Sequence, residues 1–449
     1  MITDINRTLS RGAIWPPESE TARLTLYAEN TNLWKGKHEQ VYTVLKNLYS
    51  SSEAEANKLL VILNWPKRLS LLWADLLLGD PPKLRSGDLT GPEQTYLNEI
   101  PNRLPLWSEA YKVALDVSRF GTGVFKVFAE EGRPAQIQAI APKNWYPIAD
   151  STGEVVAHLI GWKSPDEKIL NVELHTSGNV RVCWFALIES KIASDPQDLR
   201  DIATGFDEPL VFPVHNVQTS EDTEGCDDYH DIDQLLKRVE STLTRTGRVL
   251  DIHSEPTLGI PETVLSKNPN TGEITYNPKL KIIPLEEGGQ MPQYVTWDGQ
   301  LVAAFNLVNL IMDQFYALSE TCKTAFEPDK VGNQISGTAL RMLMSSPLKK
   351  VKRLKTQYDP QLKKVIRAIS YLDVAHSVQG ATKHDSISTT WQDGLPKDFT
   401  EECKNYVSLK MAGLVTTRRA TEALFGLEGD ELDSEAANLK EQNVAEGGM

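Results

Sequence analysis

The chain has 449 residues, 40% of them hydrophobic and 24% charged, and a formal net charge of −14. This is soluble globular composition, with length for about three domains and a core that needs no disulfide or metal staple. The acidic balance excludes a surface that grips nucleic acid all over, but it leaves room for local basic sites.

The opening residues, MITDINRTLSRGAIW, lack the apolar run of a signal peptide. Residues 1–115 read as mostly helical, with turns at Pro16–Pro17 and Pro81–Pro82. After Gly123 the alternation of Val124, Lys126 and Phe128 predicts a strand. IQAIAP, NWYPIAD, VVAHLIGW, ILNVELH and VRVCWFAL carry this β-rich region to about residue 220, with DSTG and TSGN as turns.

Residues 221–240 hold eight acids against Lys237 and Arg238, a net −6. Within them Ile232, Leu235, Leu236, Val239 and Leu243 recur at helical spacing, and Val249 and Leu250 extend the stripe. Acids at the start suit the positive end of a helix dipole. Residues 254–296 break that pattern with six prolines and offer two short strands, GEITY and KLKIIPL. A second amphipathic helix follows, with Leu301, Phe305, Val308, Met312, Phe315 and Leu318 on one face. Asn306, Asn309, Asp313 and Gln314 argue against its being a membrane span. The polar loop 327–337 (EPDKVGNQISG) leads into a long helix reaching about His376, with breaks expected at Pro347 and Pro360. ISTTWQDGLPKDF reads as one strand and a turn. Residues 400–449 read as helical and increasingly acidic, with seven acids against Lys440 in 428–446.

The motifs of chemistry are missing. The chain has no GxxxxGK[ST], HExxH or GxSxG, and FGTGVF at 120–125 reads as a turn. The four cysteines have no metal-type spacing and fit a reducing compartment. Asp227, Asp228, His230, Asp231 and Asp233 are dense enough to suggest a divalent metal, yet they lack the EF-hand order, and a solvated helix start is the better reading. No active site, metal or cofactor is expected. One basic ladder stands out: Arg341, Lys349, Lys350, Lys352, Arg353, Lys355, Lys363, Lys364 and Arg367, with Asp359 the only acid between them. A helix face neutralising neighbouring acids and a set of sequence-independent phosphate contacts both fit this spacing.

The order of these elements resembles the portal (head-to-tail connector) proteins of tailed bacteriophages. The phrases APKNWYPIADSTGEV (141–155), DDYHDIDQLLKRVESTLTRTGRVLDIHSEPTLGIPE (227–262), SGTALRMLMSSPLKKVKRLKTQYDPQLKKVIRAIS (336–370) and WQDGLPKDFTEECKNYVSLKMAGLVTTRRATEALFG (391–426) are similar to that family. The resemblance implies an α+β, mainly helical protomer. Its parts would be a β-rich wing (1–226), a stem helix (227–253), a small β clip (254–296) and a second stem helix (297–326). A tunnel loop (327–337), a kinked tunnel helix with wing return (338–398) and a crown or C-terminal helical tail (399–449) would complete it.

The resemblance further implies a ring of about twelve copies at one capsid vertex, through which double-stranded DNA is packaged and ejected. Its partners would be the terminase large subunit, a head-completion or adaptor protein, and the major capsid and scaffolding proteins. It would sit in the virion after assembly in the host cytoplasm, without a membrane. Asp329, Lys330, Asn333 and Gln334 would face DNA from the tunnel loop, and Pro347 would kink the tunnel helix. Lys349, Lys350, Lys352, Arg353 and Lys355 would meet phosphates or neighbouring subunits. Lys267, Asn268, Asn270 and Glu273 would present the clip to the motor or adaptor. The competing readings are another ring-forming virion assembly protein and a soluble enzyme with an unrecognised site.

Overall fold

A computed structural model describes residues 2–46, 60–89, 91–253, 258–261, 282–285, 301–326, 337–392, 394, 399–425, 427 and 432–439. Helices α1 (Thr21–Trp34), α2 (Trp65–Leu78), α3 (Pro92–Arg103) and α4 (Leu106–Phe120) come first, with strand β1 (Lys83–Arg85) between α2 and α3. The strands β2 (Thr122–Phe128), β3 (Gln136–Ile140), β4 (Trp145–Ala149), β5 (Val155–Lys163) and β6 (Ile169–Thr176) follow. After them come β7 (Asn179–Ile188), β8 (Lys191–Ile192), β9 (Gln197–Ala203) and β10 (Val211–His215). Next are α5 (Asp233–His253), β11 (Leu258–Pro261), β12 (Ile282–Leu285) and α6 (Leu301–Leu318). The remainder is α7 (Gly337–Leu343), α8 (Ser345–Ala375), β13 (Ser388–Thr390), α9 (Phe399–Met411) and α10 (Thr417–Phe425). The fold mixes helix and sheet and divides into two compact units.

The first unit comprises 1–28, 68–228 and 320–449. Its larger sheet has the order β4-β5-β6-β7-β8, with β9 also paired to β7 and every pairing antiparallel. Trp15, Tyr146, Leu159, Leu170, Val172 and Phe185 fill the core on one face of this sheet. Gly161 is required there, because a Cβ would lie 2.3 Å from the Trp15 ring. On the other side Ile160 and Trp145 join Val124, Ile140 and Val211 of the smaller sheet β10-β2-β3. Helix α8 covers β2 and β10 with a stripe at three- and four-residue steps: Val351, Leu354, Tyr358, Leu362, Val365, Ile369 and Leu372. The Tyr358 hydroxyl donates to the Ala110 carbonyl at 2.6 Å. Near the far end of α8, buried Asp373 accepts from the Tyr96 hydroxyl at 2.6 Å and the Ala135 amide at 2.8 Å, and pairs with Arg103.

The alternating strands stand where the sequence places them. Several others, β1, β8, β9, β10 and β11, had no such signal, and β9 and β10 show why. All seven residues of β9 are exposed, so no apolar face marks it. β10 contains Pro213, which an edge strand tolerates because it gives up no inner ladder bond. The long helix also differs from expectation at Pro360, which lies inside it. The interruption falls instead at Met344, between α7 and α8, and Pro347 occupies the first turn of α8, where an amide donor is not needed.

The second unit comprises 29–67 and 229–319. Ile232, Leu236 and Val239 of the predicted stripe are buried. Glu240, also buried, is hydrogen-bonded to His38 Nδ1 at 2.7 Å and accepts from the Leu63 amide at 2.8 Å. His38 Nε2 lies 2.9 Å from the Leu33 carbonyl, so both ring nitrogens are engaged. Trp65 packs on Phe315, their ring centroids 5.3 Å apart, while α5 and α6 lie against each other. β11 and β12 pair in parallel; β12 is the second half of KLKIIPL, whereas GEITY lies outside the described residues.

Candidate functional surfaces

Helix α6 is built to be covered. It has the length and composition of a membrane-crossing helix, with a mean hydropathy of 1.4, yet only 6% of it is buried. Ile311 and Phe315 face inward. At 3.6 residues per turn, Asn306, Asn309 and Asp313 fall on one exposed strip opposite them. Phe305 flanks that strip on one side at 48% exposure, and Leu310 flanks it on the other at 59%. Its outer surface is therefore a strip that is polar from Asn306 to Asp313 and begins with Val302 at 73% exposure, between two apolar margins, and α6 contains no Lys or Arg.

Helix α8 is the opposite case: its charges are largely used inside its own unit. Lys350 is buried, and its Nζ donates to Asp228 Oδ1 at 2.7 Å and lies 4.5 Å from the centre of the Trp73 ring. The same carboxylate oxygen accepts from Asn216 Nδ2 at 2.8 Å, and the Asp228 amide donates to the Ser118 carbonyl at 2.9 Å. Arg353 pairs with Glu320, while Lys355 donates to the Gln392 carbonyl and lies over Trp391. Lys363 pairs with Asp359 at 2.6 Å, and Lys364 with Glu208 at 2.6 Å. Arg367 reaches Asp207 at 3.0 Å and Glu208 at 3.1 Å. Lys349 and Lys352 are exposed and have no ion-pair partner among the described residues.

The acidic entry to α5 does not converge on a metal, and no group of metal-holding side chains occurs among the described residues. Asp228 belongs to Lys350, whereas His230 and Asp231 are exposed. The perturbed titrating groups are structural in their surroundings. Burial holds the His158 imidazole down to about 3, with His175 and His215 adding repulsion, and burial holds His215 at about 4. His158 Nδ1 accepts from Trp145 Nε1 at 3.2 Å, and His215 Nδ1 bonds Thr122 Oγ1 at 3.0 Å. Glu173 is buried, which opposes its charge, but His175 and Lys126 hold it down to about 2.

Asp329, Lys330, Asn333 and Gln334 lie outside the described residues, as do Lys267, Asn268, Asn270 and Glu273. The sequence drew attention to both Asp228 and Lys350 but not to their pairing. Only the fold brings an acid in one charged run onto a base in another.

Residues 17–447 match the family model described as phage portal protein, SPP1 Gp6-like. No curated protein sequence matches the chain. Among solved structures, the neck of the native GTA particle computed with C12 symmetry is 11% identical; the likeness covers 80% of this chain and 89% of that chain at a TM-score of 0.43. The neck of the empty GTA particle computed with C6 symmetry is 10% identical, with coverage of 81% and 90% and a TM-score of 0.47.

Proposed function

The chain belongs to the SPP1 Gp6-like phage portal proteins, and from this premise we propose that it assembles into a closed ring through which double-stranded DNA enters and leaves a virion. The observation that carries this reading is the outer surface of α6. An isolated chain that leaves Phe305 and Leu310 bare on either side of Asn306, Asn309 and Asp313 lacks its neighbours. In a ring each apolar margin meets an adjacent copy, and the polar strip lines the passage. Repetition around the ring multiplies Asp313 into a band of negative charge, which keeps phosphates from adhering to the wall. A polymer that must slide is better served by weak repulsion than by binding.

In this reading 227–253 and 297–326 are the stem, 254–296 the clip, 327–337 the tunnel loop and 399–449 the crown. Asp329, Lys330, Asn333 and Gln334 touch DNA. Lys267, Asn268, Asn270 and Glu273 meet the terminase or the adaptor. Lys349 and Lys352 are the members of the basic ladder best placed for a neighbouring copy or a phosphate. The ring sits at a capsid vertex among capsid and scaffolding proteins after assembly in the host cytoplasm, and its role is mechanical. Light scattering and electron micrographs of the purified protein test the proposal: particles of about a dozen copies with a central hole are expected, and a monomer or dimer under assembly conditions overturns it. Lys330→Glu is expected to leave such rings intact while reducing the DNA they admit in a packaging assay.

A further inference from the structure

The chain leaves the first unit after Asp228 and re-enters it at Glu320. One helix holds both boundary residues. Lys350 and Arg353 lie almost one turn apart on α8, and they pair with Asp228 and Glu320 respectively.

The two attachments differ in kind. The side chains of Lys350 and Asp228 are 7% and 4% exposed, and Trp73 and Asn216 complete their enclosure. Solvent ions do not reach such a pair, and breaking it leaves a charge buried without compensation. Arg353 and Glu320 are 46% and 36% exposed, so salt screens them. Glu320 also has a φ of +57°, the left-handed region that a Cβ disfavours. It follows Ser319, whose amide and hydroxyl both donate to the Phe315 carbonyl and end α6. Glycine is the usual residue at that position of a helix end. A strained glutamate with a screened partner is a contact set up to open.

We propose that Lys350–Asp228 is a fixed anchor and Arg353–Glu320 a salt-releasable catch. Opening the catch lets Glu320 leave its left-handed conformation and loosens the return segment through Phe326, while the chain at Asp228 stays fixed. The use of this asymmetry rests on the ring reading above. In a conduit under load, the exit of α6 gives way while the entrance to α5 holds.

Hydrogen–deuterium exchange on the full-length assembled protein tests the catch, comparing about 0.05 M with about 0.5 M NaCl. Peptides covering 318–326 are expected to exchange faster at high salt, by up to about fivefold. Peptides covering 226–232 are expected not to change. Glu320→Gln and Arg353→Met, both surface substitutions that spare the core, should raise the low-salt rate to the high-salt level and remove the salt dependence. Exchange at 318–326 that ignores salt in the wild type, or that is unaltered by both variants, overturns the proposal. An equal response at 226–232 also overturns it. Particle mass is recorded on the same sample. Absence of rings removes the use assigned to the catch, whereas salt-insensitive exchange removes the catch itself.

Discussion

Helices α6 and α8 exchange the roles their compositions suggest. α6 is the apolar helix and is mostly bare, whereas α8 holds the basic ladder and covers a sheet. The difference lies in what each is given as a partner. Every third or fourth residue along the inner face of α8 is buried where the helix lies on β2 and β10, and its outer Lys364 and Arg367 find acids folded back from distant sequence. α6 receives cover on one side only, from Ile311 and Phe315 inward. Hydropathy measures an appetite for cover, and only the fold, or a second copy, satisfies it.

If the interior of the first unit accepts charge only when it is paired, the unpaired imidazoles should be its weakness, and acidification should expose the largest effect. His158 and His215 titrate at about 3 and about 4 in the fold, below the usual imidazole value of about 6.5 in the unfolded chain. The unfolded state therefore binds more protons between those values. Stability is full above about pH 6.5 and falls as pH drops, by on the order of 5 kcal/mol at about pH 4. Denaturant titrations across this range should show that slope, and His158→Gln should flatten it.

The paired case is probed by Lys350→Met, which keeps the apolar stem over Trp73 but strands Asp228. A loss of about 3–5 kcal/mol is expected in equilibrium unfolding, partly restored when Asp228→Asn is added. Full stability in the single variant would erase the contrast drawn between the two helices. On α6 the relevant readout is assembly. Phe305→Ala should weaken each subunit contact by about 1.5–3 kcal/mol, the worth of burying such a side chain. Rings should then dissociate at higher protein concentration, with the unfolding midpoint of the separated chain unchanged. Smallest of all, Lys349→Ala and Lys352→Ala should each change chain stability by less than about 0.5 kcal/mol, measured by the same unfolding titration.

Much of the architecture was legible because local periodicity reports burial. The stripe from Ile232 and the face from Leu301 to Leu318 mark α5 and α6, and alternation marks β2 through β7. β9 escaped because an exposed strand has no burial to report. Pro360 was misleading for a related reason: it removes the amide that would donate to the Thr356 carbonyl, but it lies on the exposed side of the helix, where water can donate instead and the ring meets no packed neighbour. The ladder was visible as charge, but its use was not. Lys350 and Asp228 are 122 residues apart, and no local pattern encodes such a pairing. The fold then separates ladder residues the sequence treats as equivalent, leaving Lys349 and Lys352 to solvent while Lys350 is enclosed.

The discontinuity of the first unit has a consequence for the order of events during synthesis. The smaller sheet is complete once β10 has emerged, but the helix that covers it, with Tyr358 against Phe125 at 5.8 Å between ring centroids, ends only at Ala375. At ribosomal rates of about 5–20 residues per second, the intervening chain takes roughly 10–30 s to appear. Through that interval Phe125 and Phe212, paired on the face that α8 will cover, wait without their lid, and a nascent chain is at its most adhesive. The open face of this one sheet is therefore where premature contacts between unfinished chains would form.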